Sequence, residues 1–179
     1  QLYSNALKSL DALSVLPEVL AAGASFNGAT EFLDNTSTLI GTVKYTSIDK
    51  KYPAYTGINR QKFLEILYRQ AVKLGAKFYF DNNVTEITQT SYTVSVTCKN
   101  GLEFLDYDLL VAADGTNSKI RKQFWKDSES TYSGFGLWHS MHPLHPSVKE
   151  KVTVVMKDRR FGIIPVSYTH LTLPTNREV

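Results

Sequence analysis

The chain has 179 residues, 42% hydrophobic, 12% aromatic and 21% charged, with 20 Lys+Arg against 17 Asp+Glu for a net charge of +3. That composition suits a globular protein with a core of its own, and no apolar run approaches the about 20 residues that cross a bilayer as a helix. The densest basic run, Lys119, Arg121 and Lys122, is too short for a nucleic-acid tail, and the single Cys98 excludes an internal disulfide and fits a reducing, cytoplasmic compartment.

The pattern along the chain is mixed α/β. In residues 5–15, Ala6, Leu7, Leu10 and Leu13 recur at spacings of three and four, which predicts an amphipathic helix starting near Ser4, and Pro17 opens a second short turn of helix. Segments 26–34 and 38–47 are rich in Thr, Val, Ile, Phe and Tyr and flank the turn signal Asp34-Asn35, so they read as a hairpin. After a loop around Pro53, residues 59–74 give the strongest helix. Asn59 can cap it, Gly75 can end it, and Phe63, Leu64, Leu67, Ala71 and Leu74 form its apolar stripe.

Strands are predicted at 77–80, 84–88 and 92–99, with Asn100-Gly101 turning into a further strand at 103–107. The continuous apolar run Leu109 to Ala113 reads as a strand buried on both faces. It leads through Asp114-Gly115 into a short helix at 117–124, and strands follow at 132–141, 151–157 and 161–166.

Two places look chemical. Arg60 projects from the apolar side of its helix at the N-terminal end, where a cation opposes the helix dipole. Either an anion is held there by the guanidinium and free amides, or the arginine pairs on the surface with a loop carboxylate such as Asp49. In the run from Asp108 to Arg121, a strand ends in Asp-Gly and turns into a helix. Either Gly115 lets backbone approach a ligand while Asp114 accepts hydrogen bonds and Ser118 caps, or the pair only satisfies the geometry of a strand-to-helix turn.

Other chemistry is weaker. His139, His142 and His145 recur every third residue, but Pro143 and Pro146 break any helical face, so no metal site is assigned. Cys98 alternates as an ordinary strand residue, and no Gly-x-Ser-x-Gly turn is present for a serine hydrolase. Trp125 and Trp138 either line an aromatic pocket or pack in a core. At the ends, Gln1 runs straight into a helical pattern, which suggests a native start further upstream. From Val166 the chain resembles the translation of a transposon-type sequencing adapter, the alternative being an edge strand ending at Pro174; residues 166–179 are therefore set aside from the functional reading.

Taken together, Arg60 in Ile58-Asn59-Arg60-Gln61-Lys62-Phe63-Leu64, Asn83-Val84-Thr85-Glu86-Ile87, the run Asp108 to Arg121 and the opening Gln1 to Leu10 resemble the FAD-dependent class A aromatic-ring monooxygenases of the para-hydroxybenzoate and salicylate hydroxylase type. The resemblance covers residues 1–166. It implies an α/β (mixed α+β) fold with a partial Rossmann-like FAD-binding domain, from 1–22 and 56–130, and a β-sheet substrate domain, from 23–55 and 131–165. It implies cofactor-binding roles for Arg60 at the ribityl or diphosphate part of FAD, for Val84 beside the adenine, and for Asp114 and Gly115 near the diphosphate and the reduced nicotinamide. No catalytic side chain is implied.

The activity implied is reduction of FAD by NADH or NADPH, reaction with O2 to a C4a-hydroperoxyflavin, and hydroxylation or epoxidation of a small organic substrate, aromatic or polyene. The family's Gly-x-Gly-x-x-Gly and its later Gly-Asp motif are not in this sequence. The chain therefore reads as an inactive middle piece of such an enzyme, the alternatives being a related FAD-binding reductase or a non-catalytic α/β binding module.

Overall fold

A computed structural model describes residues 1–26, 29–34, 36–47, 49–125, 130–140, 152–155, 160–164, 166 and 170–173. The chain divides into two compact units, one made of residues 1–76 with 134–179 and the other of residues 77–133.

In the first unit, a short strand β1 (Leu2–Tyr3) runs into helix α1 (Ser4–Ala12), which α2 (Leu16–Ala22) follows at once. α1 is shorter than its apolar spacing predicts because Ser14 takes a left-handed φ of 59° and breaks the helix. Pro17 then sits in the first turn of α2, where its missing N–H costs nothing. Leu7, Leu10, Leu16 and Val19 from these helices, and Val15 between them, close a core with Tyr52, Ile58 and Ile66.

Ile66 belongs to α3 (Arg60–Lys73), which is capped by Asn59 and ended by Gly75 at a φ of 90°. The apolar stripe predicted for α3 is corrected in its details. Phe63, Ile66 and Leu67 face the core, whereas Leu64 is 52% and Leu74 73% exposed. Leu64 lies two residues, about 200° of helix rotation, before Ile66, so it cannot share that face.

Strand β5 (Tyr55–Gly57) lies between β1 and β2 (Ala24–Phe26), with Tyr3, Tyr55 and Phe26 in register. Tyr55 is fully buried, with the rings of Phe26 and Tyr45 each 5.4 Å from its own. Gly23 is required beside this sheet, because a Cβ there would come within 2.5 Å of Thr56 Cγ2 and 2.8 Å of the Gly57 carbonyl oxygen.

The same unit holds a six-stranded sheet. The predicted hairpin forms as β3 (Ala29–Leu33) and β4 (Leu39–Lys44), and Asp34 closes its turn by accepting hydrogen bonds from the Thr36 and Thr38 amides, each at 2.8 Å. β3 also pairs in parallel with β10 (Val152–Val155), which pairs antiparallel with β11 (Arg160–Ile164). β12 (His170–Leu173) lies between β11 and β9 (Trp138–Ser140). It therefore sits inside the sheet, not at an edge, through backbone pairing that any extended run without proline can make. The predicted strand at 132–141 is confined to β9, and His142, His145 and Tyr168 lie outside the described residues.

The second unit is a three-stranded meander, β6 (Val84–Gln89), β7 (Val94–Cys98) and β8 (Glu103–Tyr107), followed by α4 (Lys119–Phe124). Burial along β7 alternates as half-buried strands require, and Ile87, Val94 and Val96 pack with Val84, Phe104 and Ile120. Gly101 turns β7 into β8 at a φ of 83°.

Two predicted strands do not form. Residues 77–80 are irregular, with Phe78 and Phe80 stacked on each other at 5.9 Å. The run Leu109 to Ala113 is neither strand nor buried, Leu109 being 75% and Val111 73% exposed. An apolar run becomes a strand only where a neighbour takes its backbone N–H and C=O groups, and among the described residues neither segment has one.

Candidate functional site

The first unit contributes Arg60, the first residue of α3. Its side chain is exposed, and among the described residues it makes neither an ion pair nor a hydrogen bond, with Asp49 or any other group. The free-amide part of the sequence expectation is corrected. Asn59 Oδ1 accepts from Gln61 N at 2.8 Å and Lys62 N at 3.2 Å, while the Asn59 carbonyl accepts from Phe63 N. The cap has used these donors, so what α3 offers an anion is the guanidinium itself.

The second unit contributes the other three predicted residues. Val84 is half-buried at the start of β6, opposite Cys98 and just before a bulge. Asp114 and Gly115 follow the exposed apolar run. Gly115 takes a φ of 81°, and a Cβ built on it would meet nothing within 4 Å. The Asp114 carboxylate accepts from Lys119 N at 3.0 Å and Ile120 N at 3.3 Å. Ser118, a buried cap of α4, bonds to this carboxylate, and this bond, with the backbone donors behind it, holds the Asp114 carboxyl below its usual range.

A cavity of about 300 Å³ in the second unit is lined by Ile87, Tyr92, Val94, Leu109, Phe124 and Trp125. Trp125 thus lines a pocket, but the predicted cofactor residues do not. Trp138 is 57% exposed in β9 of the first unit.

One polar cluster went unseen in the sequence because its members are 40 and 41 positions apart. The Asp11 carboxylate on α1 bonds to the Lys51 ammonium and accepts from the Tyr52 hydroxyl at 2.8 Å. The Lys51 and Tyr52 bonds lower the Asp11 pKa, and the same bonds raise those of Lys51 and Tyr52. The cluster ties α1 to the loop before β5. Among the described residues, no group of three or more His, Cys, Asp or Glu could hold a metal ion, and no helix is long and apolar enough to cross a membrane.

With this geometry in place, comparison with known proteins gives the class. Residues 2–173 match the FAD binding domain family, and the chain belongs to it. A chloroplastic zeaxanthin epoxidase from Solanum lycopersicum is 30% identical over 142 residues, covering 75% of this chain and 21% of that protein. The FAD-dependent monooxygenase aurC from Calcarisporium arbuscula is 25% identical over 134 residues, covering 75% of this chain and 27% of that protein.

Among solved structures, PqsL from P. aeruginosa in complex with 2-aminobenzoylacetate aligns with a TM-score of 0.79 at 16% identity, covering 97% of this chain and 49% of that one. HpxO from Klebsiella pneumoniae, complexed with FAD and uric acid, aligns with a TM-score of 0.76 at 17% identity, covering 96% and 44%. The fold is the α/β FAD-binding fold of these flavoproteins. This chain spans about a fifth of the length of the first of these curated relatives and about half of the first solved structure.

Proposed function

We propose that this chain is part of an FAD-dependent monooxygenase that uses NADH or NADPH and O2 to hydroxylate or epoxidise a small organic substrate, aromatic or polyene. The observation that carries the reading is the family match over residues 2–173. The relatives named as an epoxidase and a monooxygenase support it, and so does the short share of their length that this chain spans.

The residues present suit the cofactor. Arg60 is an exposed cation with no carboxylate partner among the described residues, the chemistry that a diphosphate takes. Gly115 leaves open space where a side chain would stand, so backbone can approach a ligand there. Bound FAD would supply the redox and oxygen chemistry, while the protein supplies orientation and exclusion of water.

On this reading Arg60 holds the ribityl or diphosphate part, Val84 lies beside the adenine, and the Asp114-Gly115 loop serves the diphosphate and the nicotinamide. Segments 1–22 and 56–130 belong to the flavin domain, and 23–55 and 131–165 to the substrate domain. A cytoplasmic setting accords with a lone, buried Cys98.

The test is protein made from the complete reading frame that contains this chain. Arg60→Ala should weaken FAD binding about tenfold or more, the loss of one charge-assisted contact of about 1.5–3 kcal/mol. Unchanged affinity would remove Arg60 from the site. Flavin reduction without oxygen transfer to any aromatic or polyene substrate would point to a reductase, and absence of flavin to a non-catalytic module.

A further inference from the structure

The turn between β7 and β8 joins two residues that can react with each other. Asn100 is followed by Gly101, both are exposed, and Gly101 takes a φ of 83° with open space where a side chain would stand. Closing a succinimide brings the backbone nitrogen after an asparagine onto the asparagine's own side-chain carbon, and glycine alone puts no side chain in the way. The other described asparagines, Asn5, Asn59, Asn82, Asn83 and Asn117, all precede a residue with a Cβ. Asn27-Gly28 repeats the pair but lies outside the described residues.

The hydrogen bonds of the turn act on both reacting groups. Leu102 N donates to Asn100 Oδ1 at 3.1 Å. That donor draws electron density from Cγ and stands where negative charge develops on the oxygen during attack. Gly101 N donates to the Cys98 carbonyl at 2.9 Å, so this bond opens before the nitrogen can attack, a local opening of the kind exposed turns undergo. The side-chain amide that would leave is also in use. Asn100 Nδ2 donates to Asn82 Oδ1, Asn82 Nδ2 donates to the Phe80 carbonyl at 2.6 Å, and Lys99 N donates to the Asn83 carbonyl at 2.8 Å. The turn thereby ties down residues 80–83, which lead into β6.

We propose that Asn100 is a site of spontaneous deamidation, and that its conversion releases residues 80–83. Gly101 N gives its proton to solvent and bonds to Asn100 Cγ, the Cγ–Nδ2 bond breaks, and the nitrogen leaves as ammonia. Water then opens the succinimide at either carbonyl to give aspartate or isoaspartate, with no change of oxidation state. A carboxylate has no hydrogen to donate, so Asn82 Oδ1 loses its partner and faces a negative charge instead. Isoaspartate further lengthens the main chain by a methylene inside the turn that Gly101 N and the Cys98 carbonyl close. The chemistry needs no cofactor.

The experiment incubates protein made from the complete reading frame in heavy-oxygen water and maps its peptides by mass spectrometry. Asn100 should take up a solvent oxygen about tenfold faster or more than Asn5, Asn59, Asn82, Asn83 and Asn117. Uptake should speed as pH goes from mildly acidic to mildly alkaline, because the attacking nitrogen must lose its proton. In the modified protein, hydrogen exchange at the Lys99 amide should speed about fivefold, as loss of a hydrogen bond beside it implies. Asn82→Ala, which removes the acceptor, should speed it equally without incubation.

Gly101→Ala should slow uptake at Asn100 about tenfold, since its methyl crowds the nitrogen. Should that variant not fold at its left-handed φ, the pH dependence of wild type decides the same point. Uptake at Asn100 no faster than at the other asparagines, or independent of pH, would overturn the site. Modified protein with Lys99 exchange unchanged would overturn the release of residues 80–83.

Discussion

Arg60 starts α3 and Asp114 lies in the loop that leads into α4, and the two differ in whether the fold uses their charge. The Arg60 guanidinium is left without a partner among the described residues, whereas the Asp114 carboxylate is consumed by its own turn. Sequence spacing placed Arg60 at a helix start and Asp114 in the turn before one, because a cap such as Asn59 or Ser118 is a local signal within three residues of what it binds. It could not place Asp11 with Lys51 and Tyr52, since a contact across 40 residues leaves no local trace.

That cluster has a testable pH signature. The Asp11 pKa is lowered, so its contribution to stability is present above the ordinary aspartate range and is lost as pH falls through the folded-state value. The Lys51 and Tyr52 values are raised, so their contributions hold below their ordinary ranges and are lost as pH rises through the folded-state values. Asp11→Asn should therefore flatten the acid limb of a plot of denaturation midpoint against pH. An unchanged acid limb would mean that the cluster does not contribute to stability.

At the scale of elements, helices were legible and strands only in part. α3 announces itself by its cap, its period and its terminal glycine, yet the face it buries had to be seen. Ile66 is 2% exposed and Leu64 52%, although both are apolar and two positions apart. Ile66→Ala should cost about 2–5 kcal/mol in chemical denaturation, and Leu64→Ala less than about 1 kcal/mol; equal costs would contradict the observed face.

The strands that were missed or misplaced have two causes. β1 and β5 are two and three residues long, too short to show a period. Residues 77–80 and 109–113 have strand composition but no strand beside them among the described residues, and composition cannot supply the partner that pairing needs.

For the whole molecule, the family was legible because Arg60, the 83–87 segment and the Asp-Gly run occur in the right order, and the match over residues 2–173 accords with that order. The division into 1–76 with 134–179 and 77–133 was not legible, since it follows which segments pack together and not composition. Arg60 falls in the first unit and Val84, Asp114 and Gly115 in the second.

The most direct test of that proposal is the visible absorption spectrum of protein purified from the complete reading frame, with flavin and protein both quantified after gel filtration. The account predicts flavin bands with about one FAD per chain, as expected for a cofactor held by an intact site. A colourless protein that takes up no FAD on titration would contradict it.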